Sequence, residues 1–151
     1  MVDYREVTSP DWLPRIIAFD RALDPAWVCD QPALEATGID AGPSEGAAAI
    51  YLRRNRSTVV VALNEDVDIV GYIIADDDTP GPNRPSGRGG CRGRFMGVTD
   101  PAVMQGLFDF LADKHGWVWG RITNPVIQAE LPKFGCRMID NNPLLYSYRR
   151  P

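Results

Sequence analysis

The sequence predicts one α/β domain: a mixed central sheet of about seven strands flanked by four helices, in the order β-α-α-β-β-β-α-β-α-β-β. Three observations carry this prediction. Residues 57–75 contain two β-branched runs, STVVVAL and VDIVGYIIA, joined by Asn64-Glu65-Asp66, which is the pattern of a hairpin. Residues 101–116 open on a proline, carry Val103, Met104, Leu107, Phe108 and Leu111 at helical spacing and close on His115-Gly116. Residues 117–136, WVWGRITNPVIQAELPKFGC, read as a strand, an asparagine-capped helix and a glycine stop. A ferredoxin-like or other α+β sandwich is the competing architecture.

The remaining elements follow in chain order. Residues 2–8 alternate apolar and polar side chains, as a half-buried strand does. Ser9-Pro10-Asp11 starts a helix whose Trp12, Ile16, Phe19 and Leu23 recur at helical spacing, widened by Leu13 and Ile17. Residues 24–43 hold Pro25, Pro32, Gly38, Gly42 and Pro43 and are loop, with a helical turn at Ala33–Thr37. Ser44 and Glu45 open a second helix to about Arg54, packed through Ala47, Ile50 and Tyr51. The two hairpin strands are near-continuous apolar runs, so both of their faces are expected to be covered. Asp76-Asp77-Asp78 reads as a solvated strand end, followed by a Pro/Gly-rich connection over 79–90, expected to be mobile and a contact surface. Residues 91–98 form a strand with Arg92, Arg94 and Met96 on one face. Thr99 or Asp100 caps the next helix, with Pro101 in its first turn. In the helix after Asn124, Pro132 fits poorly. Two short strands close the chain, around 137–140 and 144–150, turned by Asn141-Asn142-Pro143.

Composition narrows the function classes. A length of 151 residues is one domain with room for a real core. The net charge of -4 argues against nucleic acid or anionic lipid as a partner, although Arg53, Arg54 and Arg56 and Arg84, Arg88, Arg92 and Arg94 cluster locally. No apolar run approaches the ~20 residues of a membrane span, and the N-terminus has no signal-peptide core. Cys29, Cys91 and Cys136 have no C-x-x-C spacing, and the single His115 completes neither a zinc set nor a serine triad. Three free thiols in a reducing compartment, no metal, and a histidine complementing a helix dipole are the expectations.

The run 117–136, a strand, an Asn-led short helix and "Lys-aromatic-Gly" before another strand, resembles the C-terminal half of GCN5-related N-acetyltransferases, the GNAT superfamily. The element order matches that fold over essentially the whole chain. The resemblance implies an acetyl-CoA site at the turn after the fourth strand, where the family carries Q/R-x-x-G-x-G/A before a helix N-terminus. Here the turn is Met96-Gly97-Val98-Thr99-Asp100-Pro101. It has one glycine, and Asp100 would take the N–H groups a pyrophosphate needs while Pro101 removes one more. The literal motif match, Arg84-Pro85-Ser86-Gly87-Arg88-Gly89, precedes a predicted strand rather than a helix and reads as a chance match.

Catalytic groups are equally hard to place. The family tyrosine that protonates the departing thiolate falls on Leu131, four residues before Gly135, and the aromatic usual after that glycine is Cys136. Cys136 reads as a small buried hydrophobe, and Tyr146 and Tyr148 as packing groups sharing one strand face. The usual general-base position offers Arg94 and Arg121; Asp76, Asp77 and Asp78 are the alternative carboxylates. No catalytic residue is assigned. If acetyl-CoA binds at all, Met96, Gly97, Val98 and Asn124 would hold it, although an N-cap role alone accounts for Asn124.

The expected function is that of a catalytically degenerate GNAT-like protein acting through protein partners, with Trp12 and Trp27 as candidate anchors. An acetyl-CoA-dependent N-acetyltransferase with an atypical turn is the alternative. A third class, nucleic-acid modification, would need the arginines to fall on one face around the cleft. Residues 91–140 also resemble degenerate GNAT-like proteins of short-tailed bacteriophages, which implies phage structural partners and a place in the virion or host cytoplasm.

Overall fold

The structure, a computed structural model, describes residues 1–29, 47–82 and 84–151. Its sheet is built from β1 (Asp3–Glu6), β2 (Val28–Cys29), β3 (Ser57–Leu63), β4 (Ile69–Asp77), β5 (Cys91–Val98), β6 (Val118–Arg121), β7 (Arg137–Ile139) and β8 (Asn142–Tyr148). The helices are α1 (Trp12–Ala22), α2 (Ala47–Arg54), α3 (Pro101–His115) and α4 (Pro125–Glu130). The strand order is β1-β3-β4-β5-β6-β8-β7, with β2 added to β5. Among the described residues β5 and β6 run parallel and the other pairings are antiparallel. The predicted element order holds, with one addition. The stretch expected to be loop after α1 begins with a 3-10 turn (Pro25–Trp27) and the two-residue strand β2. The expected helical turn at 33–37 and the helix start at Ser44-Glu45 lie outside the described residues.

Two apolar layers sandwich the sheet. Val60, Ala62, Ile73, Met96 and Val98 face α3 and α4 with Leu107, Leu111, Ile127 and Leu131. Val59, Val61, Leu63, Tyr72, Ile74 and Phe95 face α1 with Leu13, Ile16 and Ile17. Neighbouring residues of β3 and β4 thus enter opposite layers, which is why both strands read as unbroken apolar runs. On α2, Ile50 is 53% exposed, against expectation, and Leu52 packs on the α1 layer instead.

Three local details reset the surface. Ile74 pairs with Phe95 but Ala75 with Gly93, so Arg94 is the extra residue of a β-bulge. Cys91 and Met96 therefore enter the same layer despite their odd spacing, and Arg92 points to the opposite face from Met96 rather than sharing it. Pro132 ends the regular helix, and a 3-10 turn (Leu131–Phe134) carries the chain to Gly135. The β7–β8 turn is Asp140-Asn141, both at positive φ, while Asn142 and Pro143 belong to β8.

The acidic triplet is not solvated. Asp76 and Asp78 are 4% and 6% exposed. Asp76 accepts from Ser57 Oγ at 2.7 Å and faces Arg94 at 3.6 Å. Asp78 accepts from the Arg88 amide at 2.7 Å, from Trp119 Nε1 at 3.1 Å and from Arg84 at 3.4 Å. Its own amide and carbonyl bond Gly90 and Gly89. Asp78 is thus the post around which the 79–90 connection is wound. Burial alone would raise the Asp77 pKa, but hydrogen bonds from Thr79 and the charge of Arg56 outweigh it and hold the carboxyl below its ordinary value.

Removing that post leaves a buried indole N–H and a backbone N–H without acceptors. Asp78→Ala is expected to destabilise the fold by about 2–4 kcal/mol, read from urea unfolding followed by tryptophan fluorescence. Gly81→Ala in the same connection, where an added Cβ meets nothing within 4 Å, is expected to stay within about 0.5 kcal/mol of the parent.

Candidate functional site

Strands β5 and β6 stay paired only from Cys91 to Gly93 and Val118 to Gly120. Beyond Gly93 they diverge, and the opening between them is the place where a ligand would enter the sheet. On its outer edge β5 is paired with β4, Met96 opposite Ile73 and Gly97 opposite Tyr72. Its inner edge at the same two residues is taken by β2, Val28 opposite Gly97 and Cys29 opposite Met96. Both edges of β5 are therefore in use where the strands part.

Asn124 secures this arrangement. Its Oδ1 accepts from the Val126 amide at 2.9 Å, the N-cap role read from sequence. Its Nδ2 lies 3.2, 2.7 and 3.2 Å from the carbonyl oxygens of Pro25, Ala26 and Val28, to which it donates. One side chain thus caps α4 and holds the segment that pairs with β5. What remains of the opening is a cavity of about 40 Å³, lined by Phe95, Phe108, Leu131, Cys136, Tyr146 and Tyr148 among others. That is small beside the ~300–1,000 Å³ of ordinary ligand pockets.

The sequence-predicted cofactor residues are brought together here, but not as a cradle. Met96 and Gly97 are paired on both sides, and Val98, fully buried, pairs with Gly71. The Thr99 amide donates to the Val70 carbonyl at 3.0 Å. Asp100 points into the α3 N-terminus, accepting from the Val103 amide at 3.1 Å, and Pro101 follows as the first helical residue. One of the N–H groups that would meet a pyrophosphate, that of Val103, is taken by a carboxylate, whose charge repels an incoming phosphate. The motif match at 84–89 is followed by strand β5, not a helix; its Gly87, Arg88 and Gly89 amides bond the Arg84 carbonyl and Asp78.

The candidate acids and bases are likewise committed. Leu131 is fully buried. Burial pushes the Cys136 thiol up to about 12. Burial and a hydrogen bond to Asp109 push the Tyr148 phenol up to about 12, so both keep their protons at neutral pH. Cys91 and Cys136 are free and buried. Tyr146 and Tyr148 share the cavity face, as their alternation predicts. His115 differs from expectation. Burial, helped by Lys114, outweighs the opposing pull of Asp77 and Glu6 and lowers its pKa. Its Nε2 lies 3.0 Å from Thr58 Oγ1, so the neutral ring serves a hydrogen bond rather than the helix dipole.

Sequence reasoning also missed the buried polar pair of Asp20 and Tyr72. Asp20 of α1 is 2% exposed and accepts from the Tyr72 hydroxyl at 2.5 Å. A Cβ on Gly97 would come within 3.1 Å of the same carboxylate and 3.0 Å of the Tyr72 ring. Gly97 is therefore a close-packing glycine as much as a turn glycine. The available signal was an aspartate in the buried stripe of α1, four residues after Ile16 and three after Ile17.

No protein-family model matches the chain, and no curated protein does. Solved structures do, at the level of fold. An acetyltransferase of the GNAT family from Staphylococcus aureus Mu50 is 14% identical with a TM-score of 0.60, over 97% of this chain and 98% of that one. A ribosomal-protein-alanine N-acetyltransferase from Brucella melitensis is 14% identical with a TM-score of 0.58, covering 98% and 99%. Mutant forms of a spermidine/spermine N-acetyltransferase from Vibrio cholerae are 7% identical with a TM-score of 0.63, covering 97% and 92%. The chain has the fold of the GNAT acetyltransferases.

The His115 environment has a pH signature. A folded-state pKa below the ordinary value means that the unfolded chain takes up the proton first as pH falls. Stability contributed by neutral His115 is present above about pH 6.5 and is lost below it, toward the folded pKa. His115→Gln is expected to flatten the decline in melting temperature between pH 7 and pH 5, measured by differential scanning calorimetry.

Proposed function

We propose that this chain is a GNAT-fold protein that works by binding a partner rather than by acetyl transfer, its cofactor cleft being filled by its own backbone. The observation that carries this reading is the pairing of Val28 and Cys29 with the inner edge of β5, fastened by Asn124. A cofactor arm lying along that edge would have to displace a hydrogen-bonded strand and enter a cavity of about 40 Å³. Asp100 at the helix N-terminus adds to the argument, and so do the raised pKa values of Cys136 and Tyr148, which make both poor acids near neutrality. The residues present at the cleft do not fit acetyl-CoA.

The anchors suggested from sequence have other work. Trp12 is half-buried under the Arg15 guanidinium, 4.4 Å from the ring centre. Trp27 packs against the α3 layer.

Calorimetric titration with acetyl-CoA, paired with a thermal-shift scan, tests the reading. The expected result is no heat and no shift at 1 mM ligand, since any ligand of the native state raises its melting temperature. Loosening the plug with Asn124→Ala is expected to lower the melting temperature by several degrees. Saturable binding by the parent protein tighter than roughly 100 μM, about 5.5 kcal/mol, overturns the proposal in favour of an acetyltransferase with an unusual cofactor turn.

A further inference from the structure

A second concavity lies where the chain leaves β1, turns into α1 and passes the end of α2. It is a pocket of about 250 Å³ on the α1 side of the sheet, beside β1 and β3. The cavity left in the cleft between β5 and β6 is about 40 Å³. The larger space approaches the ~300 Å³ at which ordinary ligand pockets begin. Its floor is Val7, Leu13 and Val59, all buried, and Leu52 and the Trp12 ring are its walls. The surround is fixed by bonds of its own. The Val7 amide donates to the Val59 carbonyl at 2.9 Å, and the Trp12 and Leu13 amides donate to the Ser9 and Pro10 carbonyls at 3.3 and 3.1 Å. Arg15 lies over the Trp12 ring at 4.4 Å and donates to the Val67 carbonyl at 3.1 Å, which holds the indole in place.

Two polar side chains stand at the mouth. Thr8 and Arg53 are exposed, line the pocket and make no side-chain hydrogen bond or ion pair with the described residues. Arg53 and Arg54 share the last turn of α2, where either complements the helix dipole, and of the two Arg53 lines the pocket. Arg56 is committed to Asp77 at 3.4 Å. The described lining holds no carboxylate. Among acids of the elements around it, Asp11 is exposed and next in chain to Pro10 and Trp12, Asp20 is buried and bonded to Tyr72, and Glu6 is paired with Lys114. The acids of α3 and α4 lie on the opposite face of the sheet. Asp30, Glu35, Asp40 and Glu45 lie outside the described residues, so the sign of the field at the mouth is made a readout of the experiment below.

We infer that this pocket binds a small monocarboxylate, with its apolar tail on Val7, Leu13 and Val59 and its carboxylate at the mouth against Arg53 and Thr8. Burial of the tail supplies affinity in proportion to the apolar area it loses to water. The Arg53 fork matches the two carboxylate oxygens, and the Thr8 hydroxyl is a further donor. One cation in the described lining suits one carboxylate and repels an ammonium. An inorganic anion would gain nothing from the floor, and a volume below the ordinary range keeps the tail short. The pocket lies on the face of the sheet away from α3, so the inference is independent of whether the cleft takes acetyl-CoA.

Ligand-observed NMR titration of the full chain with butanoate, pentanoate and hexanoate tests it. Hexanoate is expected to bind saturably in the millimolar range or tighter, each added methylene tightening binding about fourfold. Hexylamine and inorganic phosphate should each bind at least about fivefold more weakly than hexanoate. Arg53→Gln is expected to weaken hexanoate about fivefold and to leave 1-hexanol within about twofold of the parent. Arg54→Gln, the same charge change one residue away and outside the described lining, should leave hexanoate within about twofold. Thr8→Trp fills the mouth from an exposed position and should weaken hexanoate and 1-hexanol alike, by about tenfold or more. Thermal melts confirm that each variant is folded. Failure of hexanoate to saturate by about 10 mM, hexylamine binding as tightly as hexanoate, or equal loss from Arg54→Gln overturns the inference. So does hexanoate binding that survives both Arg53→Gln and Thr8→Trp.

Discussion

Strands β5 and β6 stay together for three residues and then part, and the character of the molecule depends on what the chain does with the edge this leaves. An unpaired strand edge inside a domain is a row of backbone donors and acceptors that must find partners, because burying them unmet costs about as much as a lost hydrogen bond. A cofactor is one solution. This chain has another: it turns after α1, forms one 3-10 turn and lays Val28 and Cys29 against the edge. The plug is only two residues long, so its own ladder is a weak anchor. The Asn124 amide, donating to three carbonyls of the same segment, supplies the rest.

The bulge at Arg94 has a consequence as far-reaching as the plug. Without the extra residue, the side chains of β5 would keep one alternation from Cys91 to Val98. With it, the two ends of the strand obey different parities, so Cys91, Met96 and Val98 all enter the α3 layer while Arg92 emerges on the other side beside Trp119. The same shift brings Arg94 over the buried Asp76. One inserted residue thus gives β5 both a closed core and a charged outer face. The buried carboxylates of Asp76 and Asp78 then have a clear role: they neutralise and position cations and indole N–H groups beneath a surface that would otherwise repel itself.

How far the residues alone reveal this varies with how local the physics is. Element order, the Asp100 and Asn124 caps, the glycine stops at Gly116 and Gly135, and the covered faces of β3 and β4 are set by short-range pattern, and they were legible. The acidic triplet misled because a run of carboxylates reads as solvated. Its burial depends on Trp119, Arg94 and Ser57, each remote in sequence and brought in by the sheet. Strand β2 was illegible for a similar reason. Two residues have no periodicity, and Pro25 so close before them argues for loop. Gly97 carried a partial signal, since a lone glycine in a strand marks a close approach; that the approaching group is the Asp20–Tyr72 pair is visible only in three dimensions.

On the proposed reading, a closed cofactor cleft and a retained fold are compatible because different atoms carry them. The fold needs the α3 N–H groups satisfied and the β5 edge paired, and it is indifferent to whether a ligand or the chain does so. Asp100 with Pro101 serves the first need, and β2 with Asn124 the second. Each of these substitutes also stabilises the unliganded state, so a cofactor arriving now competes with interactions already made rather than filling open ones. The two devices act at adjacent points on the same path, the helix terminus and the strand edge. Undoing either alone would leave the other in place, so on the proposed reading cofactor binding would take a change of at least two features at once.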